Sequence, residues 1–465
     1  MQRILAIAGL TWKAALRFKV FIVIALLLVL AVVGLPLIVK DDGTAQGFTQ
    51  IILTYTLSAT ACLLGFSTLW LSCGTLARDI EECQIQVVAT KPIARWQIWL
   101  GKWLGIVSLN AVLLCLAGAC IYGLLQWRAT KLPVAEQKIL REQVLVARGT
   151  AKEPSQMAEI AAAADQVYQA RLGQNPQMHE LSNAEKQIVR NQILQQAMAD
   201  FQLVPPGYTR TWQINLGSEK KYLQDKGMQL RIKFETADQN NSGHYLGMWQ
   251  LGDPNGTNFI QMPTPSLAPD TFHEIDVPPN LLDTNGVLTI VFLNENATPL
   301  LFPLDDGMQV LFPESGFVLN FARGLAVILF WLALLSALGL AAASFLSFPV
   351  ATFFSLAMLV VVFSSGSIAE TVESGSIAVG NEDTGKAGHS SADVVMIPAL
   401  KGILFVVQFT NSISPIDLLS SGRAISWADL GIAFAHIVLL MGGIFIICGI
   451  LLFQRRELAT AQGNQ

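Results

Sequence analysis

Charged residues are scarce in this chain of 465 residues: they make up 14% of it, against roughly 25% in a typical soluble domain. Hydrophobic residues make up 52%, and the mean hydropathy is +0.48. The formal net charge of −4 argues neither for nor against nucleic acid, but no stripe of Lys and Arg with interleaved aromatics occurs, so we expect no nucleic-acid partner. The shortage of charge predicts a chain embedded in lipid.

Cysteine is missing from the long polar stretch 127–316. The cysteines lie in apolar segments or in a loop that we place in the cytoplasm; they are Cys62, Cys73, Cys83, Cys115, Cys120 and Cys448. The polar stretch is therefore not stabilised by disulfides and must be large enough to build its own core. No two cysteines have metal-type spacing, which favours small buried apolar residues.

A nucleotide site and a catalytic constellation are also missing. The sequence at 380–387 approaches the phosphate-binding pattern G-x-x-x-x-G-K-[ST], but Ala387 replaces the hydroxyl that binds Mg²⁺, and no apolar strand precedes it. The histidines form no metal pattern, and no Ser/His/Asp or Cys/His arrangement is evident. We therefore expect no ATPase activity in this chain, no cofactor and no enzyme.

Six apolar runs are long enough to cross a bilayer, which takes about 20 helical residues. They cover 20–39, 50–71, 104–126, 317–345, 349–365 and 427–453. The first run is too long for a signal peptide and has no cleavage site, so it is expected to remain as a span. Gly34 and Pro36 are expected to bend or end it.

Basic residues in the short loops predict the orientation. The tail 1–19 and the loop 72–103 each hold four, and Arg455 and Arg456 open the tail 454–465, so these segments are expected in the cytoplasm. The insertion 127–316 and the loop 366–426 are expected outside. Within that loop, segment 394–409 is apolar but short, which favours an interfacial or re-entrant helix over a seventh span. The helices then cover 20–126, 317–365 and 427–453.

The insertion divides into two parts. Residues 127–204 are predicted helical, with Pro154 in the first turn of one helix and a capping box at 182–185 opening another. Residues 205–316 alternate polar and apolar, with Asn285-Gly286 as a turn, which predicts a β-sandwich. The fold class is therefore a polytopic α-helical membrane protein of about six spans with an inserted extracytoplasmic α+β domain.

Three aromatic residues of the β-rich part are candidates for stacking on a ligand. The stretch 273–294 resembles the strand pattern of jelly-roll, carbohydrate-binding-like sandwiches. Trp212, Tyr245 and Trp249 could stack on the face of a sugar, although core or sheet-face positions are favoured for them.

The loop 72–103 carries the strongest functional pattern. It begins acidic, passes a Lys-Pro turn, and resumes as a helix that places Trp96, Trp99 and Trp103 near the interface. This pattern resembles the ABC-2-type permease family, in which an acidic end of span two, a Pro-x-x-Arg turn and a helix with Gly-Lys form the cytoplasmic coupling element. The residues that carry the resemblance, or flank it, are Arg78, Asp79, Glu81, Glu82, Lys91, Pro92, Arg95, Trp96 and Lys102. The plainer alternative is an ordinary positive-inside loop with interfacial tryptophans.

The resemblance implies the permease subunit of an exporter in a bacterial inner membrane. It implies a separate ABC ATPase subunit, pairing with a second copy or a paralogue, and residues 1–19 as an amphipathic elbow helix, for which a basic anchor is the alternative. The insertion is far longer than in a minimal member of the family, which leaves the substrate open. The alternative function is a membrane-anchored extracytoplasmic binding or sensing protein, and a membrane-embedded enzyme comes third.

Two ionisable residues inside predicted spans are candidates for the translocation path. Arg323 lies near the outer end of the fourth run and His436 lies in the middle of the sixth. The alternatives are that Arg323 extends to the headgroups and that His436 makes a hydrogen bond between helices.

Overall fold

The computed structural model describes residues 2–17, 20–38, 44–82, 93–175, 183–217, 223, 227–236, 245–252, 259–263, 266–364, 368–369, 372, 396–398, 400–402, 404 and 414–456. The chain forms two compact units, one of Met1–Ala147 with Ser315–Gln465 and the other of Arg148–Glu314. We call them the helical unit and the β unit, and each has its own hydrophobic core.

The first part of the helical unit has five helices in the described residues. They are α1 (Gln2–Arg17), α2 (Val20–Ile38), α3 (Ala45–Glu81), α4 (Arg95–Ala129) and α5 (Val134–Ile139), the last followed by a π-helical turn at Leu140–Val144. α3 extends beyond the predicted run 50–71 at both ends. Polar groups complete its start: the Thr44 hydroxyl accepts from the Gly47 N–H at 3.0 Å, and a Glu136 carboxylate oxygen accepts from the Ala45 N–H at 2.8 Å. Pro36 lies inside α2, near the end of that helix as expected.

In its described residues, the β unit contains eleven strands, with two helices between the first and second. In chain order they are β1 (Val146–Ala151), α6 (Met157–Gln174), α7 (Asn183–Gln202), β2 (Leu203–Val204), β3 (Thr209–Asn215), β4 (Met228–Ile232), β5 (Glu235–Thr236), β6 (Met248–Gly252), β7 (Phe259–Pro263), β8 (His273–Val277), β9 (Val287–Leu293), β10 (Leu300–Leu301) and β11 (Met308–Gly316).

The strands of the β unit form two four-stranded sheets, in the orders β1-β11-β4-β8 and β3-β9-β6-β7, and a short sheet β2-β10-β5. Alternate residues of both four-stranded sheets enter one core, as Leu230, Val310, Trp249 and Ile290 illustrate, which is the arrangement of a β-sandwich. The turn at Asn285-Gly286 is present, with Gly286 at φ +79°.

The prediction of helix throughout 127–204 was wrong at β1. Val146–Ala151 is a strand because it pairs with β11, a partner distant in the sequence that local propensity does not reveal. Gly149 lies so close to the Phe312 ring that a Cβ atom there would be 2.6 Å from it. The β unit also begins at Arg148 rather than at 127, because the end of α4, α5 and the π-helical turn belong to the helical unit.

The chain then returns to the helical unit as α8 (Phe317–Ala343), α9 (Phe348–Phe363), α10 (Pro415–Ser420), α11 (Trp427–Ala433) and α12 (Gly443–Arg455). A π-helical stretch, Phe434–Gly442, joins α11 to α12, so that Trp427–Arg455 is one continuous helix. We call it the last helix.

Among the described residues, four helices are long and apolar enough to cross a membrane: α3, α4, α8 and the last helix. α1 and α2 together pass the same test as one broken span, bent by 70°. α9 is apolar but has 16 residues, roughly 24 Å of helix against about 30 Å of hydrocarbon. The count of six spans stays a prediction, and the sequence 380–387 and most of 394–409 lie outside the described residues.

Candidate functional site

Most of the residues predicted to couple to an ATPase lie where α3 ends and α4 begins. α3 ends at Glu81, with Glu82 as its C-cap, and α4 begins at Arg95. Lys91 and Pro92 lie in 83–92, outside the described residues.

Lys102 joins these two helices through a buried ammonium group. The residue is 8% exposed, and its Nζ forms an ion pair with Asp79 and donates a hydrogen bond to the Thr75 carbonyl at 2.8 Å. An ammonium taken out of water needs such partners, because an uncompensated buried charge is costly. The last turns of α3 and the first turns of α4 are therefore held together by a charged contact.

Glu81 and Arg78 hold the start of α9. A carboxylate oxygen of Glu81 accepts a hydrogen bond from the Phe348 N–H at 3.0 Å. This contact is at the N-terminus of α9, where the helix dipole favours a negative charge. The Arg78 guanidinium lies 4.4 Å from the centroid of the Phe348 ring, and Trp70 packs edge-on against the same ring at 5.3 Å. The end of α3 thus fixes the position of α9.

Arg95 closes the end of the last helix. Its Nη1 donates to the carbonyls of Phe453, Gln454 and Arg456 at 3.3, 2.7 and 2.9 Å. The last carbonyls of a helix have no partner within it, and a cation is favourable beside them. Arg456 in turn donates from its Nη1 to the Ala343 and Ser344 carbonyls at the end of α8, at 3.3 and 3.2 Å.

Two of the three tryptophans expected near the interface are instead packed between helices. Trp99 is fully buried, and its Nε1 donates to the Ser344 hydroxyl at 3.2 Å. A Cβ atom on Gly449 would lie 2.8 Å from the Trp99 ring, so that glycine makes room for it. Trp103 donates from Nε1 to the Ala333 carbonyl at 3.0 Å, whereas Trp96 is 40% exposed. Sequence spacing missed these contacts because their partners lie on α8 and α12.

The predicted path residues have different surroundings. Arg323 is 6% exposed, donates from Nη1 to the Ile425 carbonyl at 2.8 Å, and lies 4.4 Å from the centroid of the Trp427 ring. Asn320 accepts from the Ile425 N–H at 2.7 Å, so both side chains hold the segment that enters the last helix. Arg323 is therefore held by protein groups. His436 is partly buried in the π-helical stretch, and a role in translocation stays a prediction for both.

The three aromatic candidates of the β unit lie in its core. Trp212 and Trp249 are 2% exposed and Tyr245 is 7% exposed. The two tryptophan rings stack with their centroids 6.3 Å apart, and Trp249 lies 4.5 Å from the Phe292 ring. Their candidacy as a ligand-stacking surface was wrong, because rings enclosed between two sheets cannot reach a sugar.

Arg78, Asp79, Glu81, Arg95, Lys102 and Arg456 together form what we call the helix-end cluster. Its contacts join the ends of α3, α4, α8, α9 and α12, and they are suited to holding helices together rather than to a reaction. Within the described ranges, no group of three His, Cys, Asp or Glu side chains could hold a metal ion. No protein-family model, no curated protein and no solved structure matches this chain.

Proposed function

We propose that this chain is the permease subunit of an ABC-2-type exporter, driven by a separate ATPase subunit that docks where α3 gives way to α4. The observation that carries the proposal is the position of Arg95. It is the arginine of the Pro-x-x-Arg pattern, and it binds three carbonyls at the end of the last helix, 358 to 361 residues away along the chain. The residues that resemble a coupling element thus contact the helices that such an element must move.

The helix-end cluster supports transmission of a push from a soluble motor. A displacement of the segment between α3 and α4 acts on both helices at once, because Lys102 and Asp79 join them. It reaches α9 through Glu81, the last helix through Arg95, and α8 through Arg456. Packed helices tied in this way move as rigid bodies, whereas a free loop would absorb the displacement.

The charge pattern supports the orientation of the chain, and the resemblance to ABC-2-type permeases implies that the membrane is a bacterial inner membrane. The basic residues of the tail 1–19, the loop 72–103 and the C-terminal tail favour a cytoplasmic position for both termini and the helix-end cluster, where ATP is available. The insertion then lies outside. A second copy or a paralogue completes the translocation path among membrane lipids, with Arg323 and His436 as candidates to line it.

Affinity purification of the tagged full chain in mild detergent, with mass spectrometry and an ATPase assay, tests the proposal. We expect an ABC ATPase subunit in stoichiometric amount. Glu81→Lys with Glu82→Lys should abolish its docking or the stimulation of ATP hydrolysis. Glu81→Gln keeps an oxygen that can accept from the Phe348 N–H, so it separates the loss of charge from the loss of the α9 contact.

The matched control is Glu136→Ala. Glu136 also places a carboxylate at a helix start, that of α3, but α3 has 37 residues, so this contact is roughly 55 Å from Glu81 along the helix. This variant should keep ATPase docking. The proposal is wrong if the chain is recovered alone from several mild detergents, or if charge reversal at Glu81 and Glu82 leaves the stimulation intact.

A further inference from the structure

The β unit contains a cavity of about 320 Å³ whose walls combine charged, amide and aromatic groups. This volume lies at the lower end of the range for small-molecule pockets. Glu153, Gln156 and Arg210 supply the polar groups, and Phe201 and Tyr208 the aromatic ones. We call it the Glu153–Arg210 cavity.

The Arg210 guanidinium is fixed by its neighbours and retains N–H groups that can bind a ligand. Its guanidinium lies 4.9 Å from the centroid of the Trp212 ring and 5.7 Å from that of Phe201, and Nη1 donates to the Gln202 carbonyl at 3.1 Å. Burial lowers the pKa of Arg210 and the charge of Glu153 opposes this effect. Of its five N–H donors, Nη1 alone donates to a protein acceptor in the described part of the chain.

One buried acceptor beside Arg210 lacks a donor among the described residues, and the Glu153 carboxyl lines the same cavity. Gln156 Oε1 is buried and accepts no hydrogen bond from any described residue. Burial raises the pKa of Glu153, opposed by a backbone hydrogen bond from Gln213 and then by the charge of Arg210. A buried acceptor without a donor is unfavourable, and a ligand that brings a hydroxyl group removes that cost.

An exposed aromatic ring stands at the cavity on a fixed turn. Tyr208 is 66% exposed and follows Gly207, whose φ of +77° suits glycine. The Gly207 N–H donates to the Asn294 carbonyl at 2.8 Å, and the Asn294 N–H donates to the Tyr208 carbonyl at 3.1 Å. The buried Asn294 side chain also donates to the Val204 carbonyl at 2.9 Å. Unlike the enclosed tryptophans, this ring is available to a ligand and its backbone is preorganised.

We propose that the Glu153–Arg210 cavity binds one neutral sugar unit of a glycan. Hydroxyl groups of the sugar donate to Gln156 Oε1 and the Glu153 carboxyl, other sugar oxygens accept from Arg210, and the apolar face of the ring packs on Tyr208. A free amino acid is the alternative ligand, because its ammonium and carboxylate groups would pair with Glu153 and Arg210, and the experiment below distinguishes the two. This proposal does not depend on the permease assignment, since all of its residues belong to the β unit.

A glycan array probed with the full chain in lipid nanodiscs tests the proposal. The immobilised probes are neutral oligosaccharides ending in glucose, galactose, mannose or N-acetylglucosamine, and the retained terminal sugar is then titrated by calorimetry. We expect at least one of them to be retained. Tyr208→Ala should weaken binding about fivefold through loss of packing, and Arg210→Met about tenfold or more through loss of charged donors.

Phe259→Ala is the matched control, since Phe259 is also an exposed aromatic of the β unit, 45% exposed, but does not line the cavity. It should bind as the unaltered chain does. Tyr208→Phe, which keeps the ring, should retain most of the affinity. The proposal is overturned if no neutral sugar is retained, if Tyr208→Ala and Arg210→Met bind as tightly as the control, or if free amino acids bind and sugars do not.

Discussion

Replacing Arg95 by alanine should release the last turn of the last helix. Arg95 Nη1 has two hydrogens shared among three carbonyls, so we count about two hydrogen bonds. A hydrogen bond to a charged group contributes about 1.5–3 kcal/mol when well buried, and Arg95 is half-buried, so we take about 1 kcal/mol for each. Loss of about 2 kcal/mol raises the opening equilibrium of this turn roughly thirtyfold.

Amide hydrogen exchange followed by mass spectrometry on the full chain in nanodiscs measures this opening. Peptides covering 448–456 should exchange roughly thirtyfold faster in Arg95→Ala. Peptides at the end of α8 should follow to a smaller extent, because Arg456 joins the two ends. Arg95→Lys keeps the charge but loses the guanidinium geometry, so its exchange rate at 448–456 should lie between those of Arg95→Ala and the unaltered chain.

The control is Arg128→Ala, at the opposite end of α4. Arg128 also donates from Nη1 to a helix carbonyl, that of Pro36, at 2.6 Å. Its replacement should leave exchange at 448–456 unchanged. Equal rates in Arg95→Ala and the unaltered chain, or equal acceleration by Arg128→Ala, would refute the role given to Arg95.

Three further changes probe the two cores and the cavity. Gly339→Ala should destabilise the helical unit by about 1–3 kcal/mol, because the added Cβ collides with the Ser72 side chain; an unchanged thermal unfolding midpoint would contradict this packing. Trp249→Ala should cost the β unit about 3–5 kcal/mol, seen as faster limited proteolysis within 148–314, and unaltered resistance would place the ring outside the core. The raised pKa of Glu153 means that the folded state binds its proton more tightly, so stability should fall as pH rises from the ordinary glutamate pKa through the raised one. Thermal unfolding of Glu153→Gln should lose this dependence, and an identical pH profile in both proteins would contradict it.

The sequence determined those helices and strands whose own pattern of polar and apolar residues indicates which of their faces is buried. The apolar runs at 317–345 and 427–453 became α8 and the last helix, because a long apolar segment satisfies its backbone as helix without a partner. The alternation at 210–216 and 288–293 became β3 and β9, since period-two patterning separates a buried face from an exposed one. The order of acidic residues, Lys-Pro turn and basic residues in the loop 72–103 is likewise a local pattern, which the sequence shows without knowledge of the packing.

What the tertiary structure alone decided is which distant groups meet. Arg95 has the same local signature whether it faces water or the Phe453 carbonyl, and only helix packing brings that carbonyl to it. Trp212 and Tyr208 are aromatic residues four positions apart, yet one lies between two sheets and the other projects from a turn held by Asn294. Local pattern reflects average exposure along one segment, whereas the partner of a side chain depends on how separate segments pack, which no window of sequence contains.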